Sequence, residues 1–382
     1  MSPIKTINIR IFNSFSDVET IWRSFEKTSD NYAFQNFDWL KHWHETIGIT
    51  TKPCLVVVEY PAGKPVMILP LGLEKRYSVD CLVWLGGIVS DYLGPLLCTD
   101  FSQNFPFDFS QTVWPLITVR LPAYDAILFE KMPKLINGQT NPLVSLPCIP
   151  TPNNAYATHL DKSLDSFLKE KRSSKSIATE KRKHRRLREY GQIEFVLAQH
   201  SEQIHRFLGD MMTQKSRSYK EMGVANLFDD SQICTFFRNL SVDFCSNGFV
   251  HLSALTLDGR TIATLWGLVY KKRFYHLYPT YEKSELIKYA PGGLLMWHMF
   301  EWCMNNGVEI YDFTIGDESY KDQWSDQELF LYDCYQGRTI LGVGYTGLFK
   351  MTGLLKYKIK HTPKLWKLAQ EFRALLGNYR QR

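Results

Sequence analysis

The stretch Lys288-Tyr289-Ala290-Pro291-Gly292-Gly293-Leu294-Leu295 joins two segments that differ in hydrophobic pattern. The residues before it, Arg273 to Tyr278, predict a strand, and the residues after it, Leu294 to Asn306, predict a helix. A strand, a glycine turn and a helix in this order direct backbone N–H groups and the positive end of the helix dipole at one point. The stretch therefore predicts a site for a phosphate or pyrophosphate. A helix capped by glycines beside a solvated loop is the structural alternative.

A second predicted strand follows this helix and ends in a loop of titratable side chains. The run from Glu309 to Lys321 reads Glu-Ile-Tyr-Asp-Phe-Thr-Ile-Gly-Asp-Glu-Ser-Tyr-Lys. Carboxylates, a phenol and an amine thus follow the anion-binding turn closely along the chain. An anion site beside such a cluster indicates a site of group transfer.

The length and composition of the chain indicate two domains and no metal. A chain of 382 residues, 45% of them hydrophobic, can fill two cores. The eight cysteines include no Cys-x-x-Cys pair, which argues against a zinc site and for a reducing compartment. Met1 to Lys5 lack the apolar pattern of a secretion signal, and no apolar run reaches the ~18 residues of a spanning helix. We therefore expect a cytoplasmic protein.

The net charge of +6 is distributed unevenly. Lys169 to Arg188 contains ten Lys and Arg residues against two acidic ones, and Lys350 to Arg382 contains nine against one. The rest of the chain is therefore acidic. Two basic segments on an acidic body predict two surfaces that face anions.

The segment Asn137 to Asn154 carries four prolines and predicts an extended linker. It divides a first domain, residues 1–150, from a second, residues 151–345, and residues 346–382 form a basic amphipathic tail. In the second domain, Leu164 to Tyr190 predicts one long basic helix, and Phe249 to Tyr281 predicts three antiparallel strands.

Several of these segments resemble a known family. Pro291 to Leu295 resembles the pyrophosphate-binding turn of the GNAT acyltransferases, although a Gln or Arg usually precedes those glycines and here the turn is a bare Pro-Gly-Gly. Asp312 to Lys321 is similar to the segment that marks the CelD-like, cellulose-biosynthesis-associated branch. Phe34 to Leu40 and Ser90 to Leu96 are also similar to that branch, so the resemblance covers roughly residues 15 to 375.

The resemblance implies an α/β (α+β) fold with two GNAT-like units in tandem, each a mixed, mostly antiparallel sheet flanked by helices. The first unit would be a degenerate copy, and the second would carry the cofactor turn. The same architecture belongs to the Fem-type peptidyl transferases. The implied function is transfer of an acyl group from acetyl-CoA or another acyl-CoA to an amine or hydroxyl of a small molecule or of an envelope or polysaccharide precursor. A Fem-type transferase that uses aminoacyl-tRNA, and a non-catalytic module that binds a nucleotide or lipid headgroup, are the alternatives.

The resemblance also implies roles for particular residues. The pyrophosphate would bind at Pro291, Gly292, Gly293 and Leu294, with Lys288 as an added charge. Four side chains compete as the general base: Asp312, Asp317, Glu318 and His276. Tyr320 and Lys321 resemble an aromatic-lysine pair of the Fem-type enzymes, in which the lysine stabilises charge on the acyl carbonyl.

The two basic segments have alternative partners. The helix could face a nucleotide, a tRNA or an anionic lipid surface, and it lacks the aromatic residues of a single-strand binding surface. No feature predicts DNA binding. The tail could lie at the inner face of the membrane or pack on the first domain.

Overall fold

The computed structural model describes residues 7–105, 107–316, 318–362 and 365. Its strands are β1 (Asn8–Phe12), β2 (Ser29–Asp30), β3 (Lys52–Glu59), β4 (Pro65–Arg76), β5 (Val79–Trp84), β6 (Leu96–Cys98), β7 (Ala126–Pro133), β8 (Leu135–Ile136), β9 (Gln139–Thr140), β10 (Cys148–Pro150), β11 (Ala155–His159), β12 (Ile193–Leu197), β13 (Val250–Leu257), β14 (Arg260–Tyr270), β15 (Arg273–Tyr281), β16 (Ile310–Ile315), β17 (Gln327–Leu329) and β18 (Leu331–Gly337). Its α-helices are α1 (Phe15–Glu26), α2 (Phe37–Thr46), α3 (Phe101–Asn104), α4 (Trp114–Thr118), α5 (Leu164–Lys171), α6 (Ser174–Leu187), α7 (Ser201–Met222), α8 (Ser231–Phe244), α9 (Pro291–Asn305), α10 (Ser319–Trp324) and α11 (Ile340–Lys360).

These elements form two compact units, with the divisions after Asn154 and after Glu328. The first unit contains a sheet in which β1, β3, β4, β5, β7, β18 and β10 are successive neighbours. Strands β3 and β4 lie inside this sheet, and their central residues are buried because both strands are nearly continuous apolar runs. Trp22 of α1 and Trp39 of α2 are also fully buried in this unit.

The chain returns to the first unit after the second. Strand β18 pairs with β7 on one side and with β10 on the other, antiparallel to both. The segment predicted as an extended linker therefore contributes β10 to a sheet, and residues 329–345, predicted as part of the second domain, lie in the first unit. These pairings join residues about 200 positions apart, and short-range patterns carry no information about them.

The second unit contains a sheet of order β12-β13-β14-β15-β16-β11-β17. Strands β13, β14 and β15 are antiparallel neighbours, as predicted, whereas β15 and β16 run parallel. Helix α9 supplies Met299 and Phe300 to the core of this unit, where they meet Phe274 and Tyr311 of the sheet. Mixed sheets flanked by helices confirm the predicted fold class.

The predicted basic helix is two helices, α5 and α6, broken at Arg172 and Ser173. The Ser173 backbone is extended, and its side chain accepts a hydrogen bond from the N–H of Ser176 at 3.2 Å. A serine in this position caps a new helix and competes with continuation of the previous one. The break places Arg172 between the two helices.

Helix α11 begins before the predicted tail and contains most of the part of that tail that the structure describes. Tyr345 and Phe349 pack against a small core cluster of the first unit. Gly342 lies so close to the sheet that a Cβ atom there would collide with the carbonyl oxygen of Asp125. Among the helices of the described ranges, none is both long and apolar enough to cross a membrane.

Candidate active site

The strands β15 and β16 pair for only three residues before they separate. Their ladder joins Arg273 to Ile310, Phe274 to Tyr311 and Tyr275 to Asp312. Beyond this point β16 continues its pairing with β11 through Ile315, and β15 continues with β14. The parallel ladder therefore opens into a gap that begins at His276.

A cleft of about 420 Å³ is lined by His276, the residue of β15 at which this gap begins. One wall is the end of β15, with His276, Pro279, Thr280 and Tyr281, and Leu265 of β14 adds an apolar surface. The other lining residues come from α9 and the turn before it, from α6, from α10 and from the break between α5 and α6: Ile287, Ala290, Pro291, Gly292, Gly293, Leu295, Met296, Tyr320, Trp324, Arg172 and Glu180.

Helix α9 begins at Pro291, three residues before the predicted start. Ala290 precedes it in the left-handed region, with φ of 53°, a conformation that costs free energy for a residue with a Cβ atom. The glycines thus lie in the first helical turn, whose N–H groups have no acceptor within an α-helix. The N–H of Leu294 is different, because it already donates to the carbonyl of Ala290 at 3.1 Å.

The predicted cofactor-binding residues are therefore only partly brought together. Pro291, Gly292 and Gly293 line the cleft, whereas the Leu294 side chain is buried in the core. A Cβ atom on Gly292 would lie 3.2 Å from the Tyr281 ring, and one on Gly293 would meet nothing closer than 3.7 Å. Lys288 is exposed, with its ammonium 5.1 Å from the Tyr289 ring, and is not part of the cleft lining.

Four residues were predicted as candidates for the general base. Of those that the structure describes, His276 lines the cleft. Its Nδ1 lies 2.7 Å from the hydroxyl oxygen of Tyr311, and both side chains are buried. Burial lowers the pKa of His276 to about 3, with smaller contributions from the charges of Lys321 and Lys215. The imidazole is therefore neutral at physiological pH and a weak base.

Asp312 of β16 is buried. Its carboxylate accepts hydrogen bonds from a side chain of the neighbouring strand β15 and from the backbone of β16. Its Oδ2 accepts from Arg273 Nη1 at 2.8 Å, and its Oδ1 accepts from the N–H of Thr314, also at 2.8 Å. Thr314 has φ of 59°, which is rare for a β-branched residue. The Asp312 carboxylate thus holds a strained bulge near the end of β16, where the register with β11 shifts.

Lys321, which belongs to α10, is also buried. Its Nζ donates to the carbonyl of Ile315 at 2.9 Å and lies 3.0 Å from Oε2 of Glu318. Gly316 has φ of 144°, and a Cβ there would lie 2.7 Å from this Nζ. Lys321 is not part of the cleft lining, whereas its neighbour Tyr320 is. Asp317, between these groups in sequence, lies outside the described residues.

Burial keeps Tyr320 protonated. The pKa of its hydroxyl is raised by desolvation and by the charge of Glu318. The ring packs edge-on against Phe313 at 6.1 Å between centroids. A protonated phenol in the cleft can donate a proton or a hydrogen bond.

Arg172, Glu180 and Trp324 line the cleft and were not predicted as site residues from the sequence. The Arg172 guanidinium lies 4.7 Å over the Trp324 ring, and its Nη2 donates to Glu180 Oε1 at 2.9 Å. Arg172 Nε and Trp324 Nε1 are buried without a hydrogen-bond partner in the described part of the protein. The sequence signal was the Ser173 cap, which would have placed Arg172 at a break between helices.

Lys215 of α7 is a further basic residue close to this region. Desolvation lowers the pKa of its ammonium, and Lys321 lowers it further, while Glu318 opposes the shift. Within the described residues, no three His, Cys, Asp or Glu side chains converge in an arrangement that could hold a metal ion.

A comparison with known protein families finds a match to part of the second unit. Residues 174–322 match the family described as "Acetyltransferase (GNAT) domain". The second unit thus contains a stretch similar to GNAT domains, as the sequence motifs predicted, while the CelD-like branch stays a prediction. No curated protein matches the chain.

Solved structures share the fold at low sequence identity. FemX matches with a TM-score of 0.55 at 13% identity, over 85% of this chain and 96% of that one. A conserved protein of unknown function from Bacteroides thetaiotaomicron VPI-5482 has a TM-score of 0.52 at 12% identity, over 85% of this chain and 99% of its own. The C-terminal domain of a protein described as a lysylphosphatidylglycerol synthetase, from Agrobacterium fabrum, has a TM-score of 0.50 at 12% identity, over 87% of this chain and 95% of its own. These likenesses cover both units and concern the fold alone.

Proposed function

We propose that the second unit is an acyltransferase that uses acetyl-CoA or another acyl-CoA. The acceptor would be an amine or hydroxyl of a small molecule or of an envelope or polysaccharide precursor. The observation that carries this proposal is that the first turn of α9 opens into the same cleft as His276 and Tyr320. A helix N-terminus suits a phosphate, and nearby donors suit a carbonyl that gains charge. The GNAT match of residues 174–322 supports the same reading.

The proposed donor is bound by backbone groups. The N–H groups of Gly292 and Gly293 would hold a pyrophosphate, and Pro291 fixes the start of the helix. The gap between β15 and β16 would receive the extended arm of the carrier, since the edge of a strand can pair with amide groups. Leu265 and Pro279 supply an apolar surface beside this arm.

We assign His276 the role of a hydrogen-bond donor to the acyl carbonyl oxygen. Tyr311 stays protonated because burial raises the pKa of its hydroxyl, and a buried hydroxyl donates to the nearest acceptor. That acceptor is Nδ1 of His276, so the imidazole proton resides on Nε2. A neutral imidazole that donates through Nε2 stabilises a developing oxyanion. This assignment replaces the role of general base that the sequence favoured.

The proposed reaction balances without a covalent enzyme intermediate. The acceptor nitrogen or oxygen attacks the thioester carbon, a C–N or C–O bond forms, and the C–S bond breaks. The sulfur leaves as a thiolate and takes a proton from the Tyr320 hydroxyl, and the proton that the acceptor loses restores that hydroxyl through solvent. Glu180, the carboxylate in the cleft lining, would accept a hydrogen bond from the acceptor.

Asp312 and Lys321 are proposed as positioning residues. Asp312 holds the strained Thr314, and Lys321 binds the next carbonyl, that of Ile315. Together they fix the turn that carries α10, and α10 carries Tyr320 into the cleft.

The proposal is tested by isothermal titration with acetyl-CoA, CoA and adenosine 3′,5′-bisphosphate. Saturable binding of both thioester and thiol, followed by release of free thiol in a screen of amines and envelope precursors, is the expected result. Binding of none of the three would refute acyl-CoA use.

A specific observation favours one alternative. Six basic side chains of α6 and its C-terminal end are exposed, and this surface suits the phosphates of a tRNA: Lys175, Lys181, Arg182, Arg185, Arg186 and Arg188. Salt-sensitive binding of aminoacyl-tRNA, without binding of CoA, would favour the Fem-type transferase. Binding of the bisphosphate alone, without any acyl transfer, would favour the non-catalytic module.

A further inference from the structure

Helix α11 exposes an apolar face that no part of the described chain covers. The large apolar side chains on this face are exposed by about half or more, up to 95% for Ile340: Ile340, Leu341, Val343, Leu348, Met351, Leu354 and Leu355. Leu341, Leu348, Met351 and Leu355 recur at intervals of seven, three and four residues, so they form one stripe along the helix. From Ile340 to Leu355 the stripe is about 22 Å long.

The opposite face of α11 is fixed to the first unit. Tyr345 and Phe349 pack on the sheet, and Gly342 and Thr346 are buried there. The exposed stripe therefore cannot turn inward without loss of this packing. A helix that is apolar on both faces needs a second apolar environment.

The charged residues of α11 itself are all of one sign. Helix α11 contains Lys350, Lys356, Lys358 and Lys360 and no acidic residue. Three of these lysines follow the apolar stripe at its C-terminal end. The sequence beyond the helix adds further basic residues with Glu371 as its only acidic one.

We propose that α11 docks the protein on the surface of an anionic lipid bilayer. The stripe would enter the boundary between headgroups and acyl chains, and the lysines would bind lipid phosphates. A second copy of the chain fits less well, because a symmetric contact between two such helices offers no acidic partner for the lysines. The surface belongs to the first unit, so the proposal does not depend on the acyltransferase activity.

Flotation with large unilamellar vesicles tests this docking with the full-length protein. We expect binding to vesicles of phosphatidylcholine mixed with phosphatidylglycerol, much weaker binding to phosphatidylcholine alone, and a loss of binding as salt is raised. The double variant Leu348→Asp/Leu355→Asp should weaken binding by about tenfold or more, because each substitution places a charge where an apolar group enters the bilayer.

Val119→Asp is the matched control, since Val119 is also apolar and exposed in the first unit but lies outside α11. It should bind vesicles like the parent. Circular dichroism should show that all variants are folded, as expected for exposed positions. Vesicle binding that survives in the double variant would overturn the proposal. So would a concentration-dependent dimer in the parent, lost in the double variant, together with no vesicle binding.

Discussion

Nδ1 of His276 lies 2.7 Å from the hydroxyl oxygen of Tyr311, and both residues are buried at the start of the gap between β15 and β16. His276 belongs to β15 and Tyr311 to β16, so the pair links the two strands where they separate. His276 also lines the cleft in which an acyl group would bind. In the proposed mechanism, the Tyr311 hydroxyl donates to Nδ1 and so keeps the imidazole proton on Nε2. The catalytic assignment of His276 therefore depends on Tyr311.

Tyr311→Phe should lower kcat while the KM for acyl-CoA stays nearly unchanged. Removal of the hydroxyl frees the imidazole to place its proton on either nitrogen, so the donor to the oxyanion is present only part of the time. Loss of one such donor costs about 10²–10³ in rate, and partial loss costs less. His276→Gln keeps a donor of similar reach and should retain more activity than His276→Ala. Equal activity of the parent and Tyr311→Phe would remove this pair from the mechanism.

Protonation of His276 should contribute to acid unfolding. Its pKa is lowered from 6.5 to about 3 in the folded protein, so the unfolded state binds the proton more tightly. The stability that this histidine contributes is complete above about pH 6.5 and is lost as the pH falls towards 3. The expected slope is about 1.4 kcal/mol per pH unit for this one group. Urea unfolding of the parent and of His276→Gln at several pH values measures it. Parallel pH curves for the two proteins would contradict the burial argument.

Gly293→Val should abolish acyl-CoA binding and leave the protein folded. A Cβ at this position meets no atom closer than 3.7 Å, so the added side chain fits the protein but occupies the first turn of α9 at the cleft. Titration calorimetry measures the binding. Gly209→Val is the control, because Gly209 also lies in a helix with open space around it and is remote in sequence from the cleft. A Gly293→Val protein with the parent's affinity would exclude α9 as the phosphate site.

Lys321→Ala should reduce stability as well as turnover. Its ammonium satisfies the Ile315 carbonyl in a buried position, and an unsatisfied buried acceptor costs about 1–3 kcal/mol. Chemical denaturation gives the stability, and steady-state kinetics gives kcat. A variant as stable as the parent, with kcat lowered about 10²–10³ and KM unchanged, would instead support the electrophilic role that the sequence suggested.

Arg172→Ala should raise the KM for the acceptor about tenfold and leave the affinity for acyl-CoA unchanged. The guanidinium orients Glu180, the proposed partner of the acceptor, and covers the Trp324 ring. Arg172→Lys keeps the charge but loses the planar contact with both partners, so it should restore little. A loss of acyl-CoA affinity in Arg172→Ala would place the donor, and not the acceptor, at this wall.

The sequence was most informative where hydrophobic periodicity is local. Strands β13 to β15 lie within the predicted range Phe249 to Tyr281, because alternating patterns and tight turns define them. A helix follows the predicted anion-binding turn, but it begins at Pro291, since the glycines are compatible with either a turn or a first helical turn. The break at Ser173 was missed because the charges of this segment mask its capping signal.

The candidate site was less predictable, because its chemistry depends on burial and on distant partners. His276 was one of four candidates for the base by residue type, and its burial and the Tyr311 hydroxyl support the proposal that it is a neutral donor. Asp312 was another candidate, and its ion pair with Arg273 across the sheet could not be read from the sequence. Arg172 and Trp324 are more than 150 positions apart, so no short pattern could join them.

The chain leaves the first unit after β10 and returns to it at β18. These two strands are neighbours in the sheet of the first unit. Pro150 of β10 is opposite Tyr332 of β18, and the N–H of Thr151 donates to the Leu331 carbonyl at 3.0 Å. The second unit is thus an insert in a host domain. During synthesis the host cannot complete its sheet until the ribosome has passed Gly337, so β7 and β10 keep open edges while the insert emerges. An insert that folds first brings its own ends together and lowers the entropy cost of closing the host. A mutation that unfolds the insert should therefore leave the host exposed to aggregation as well.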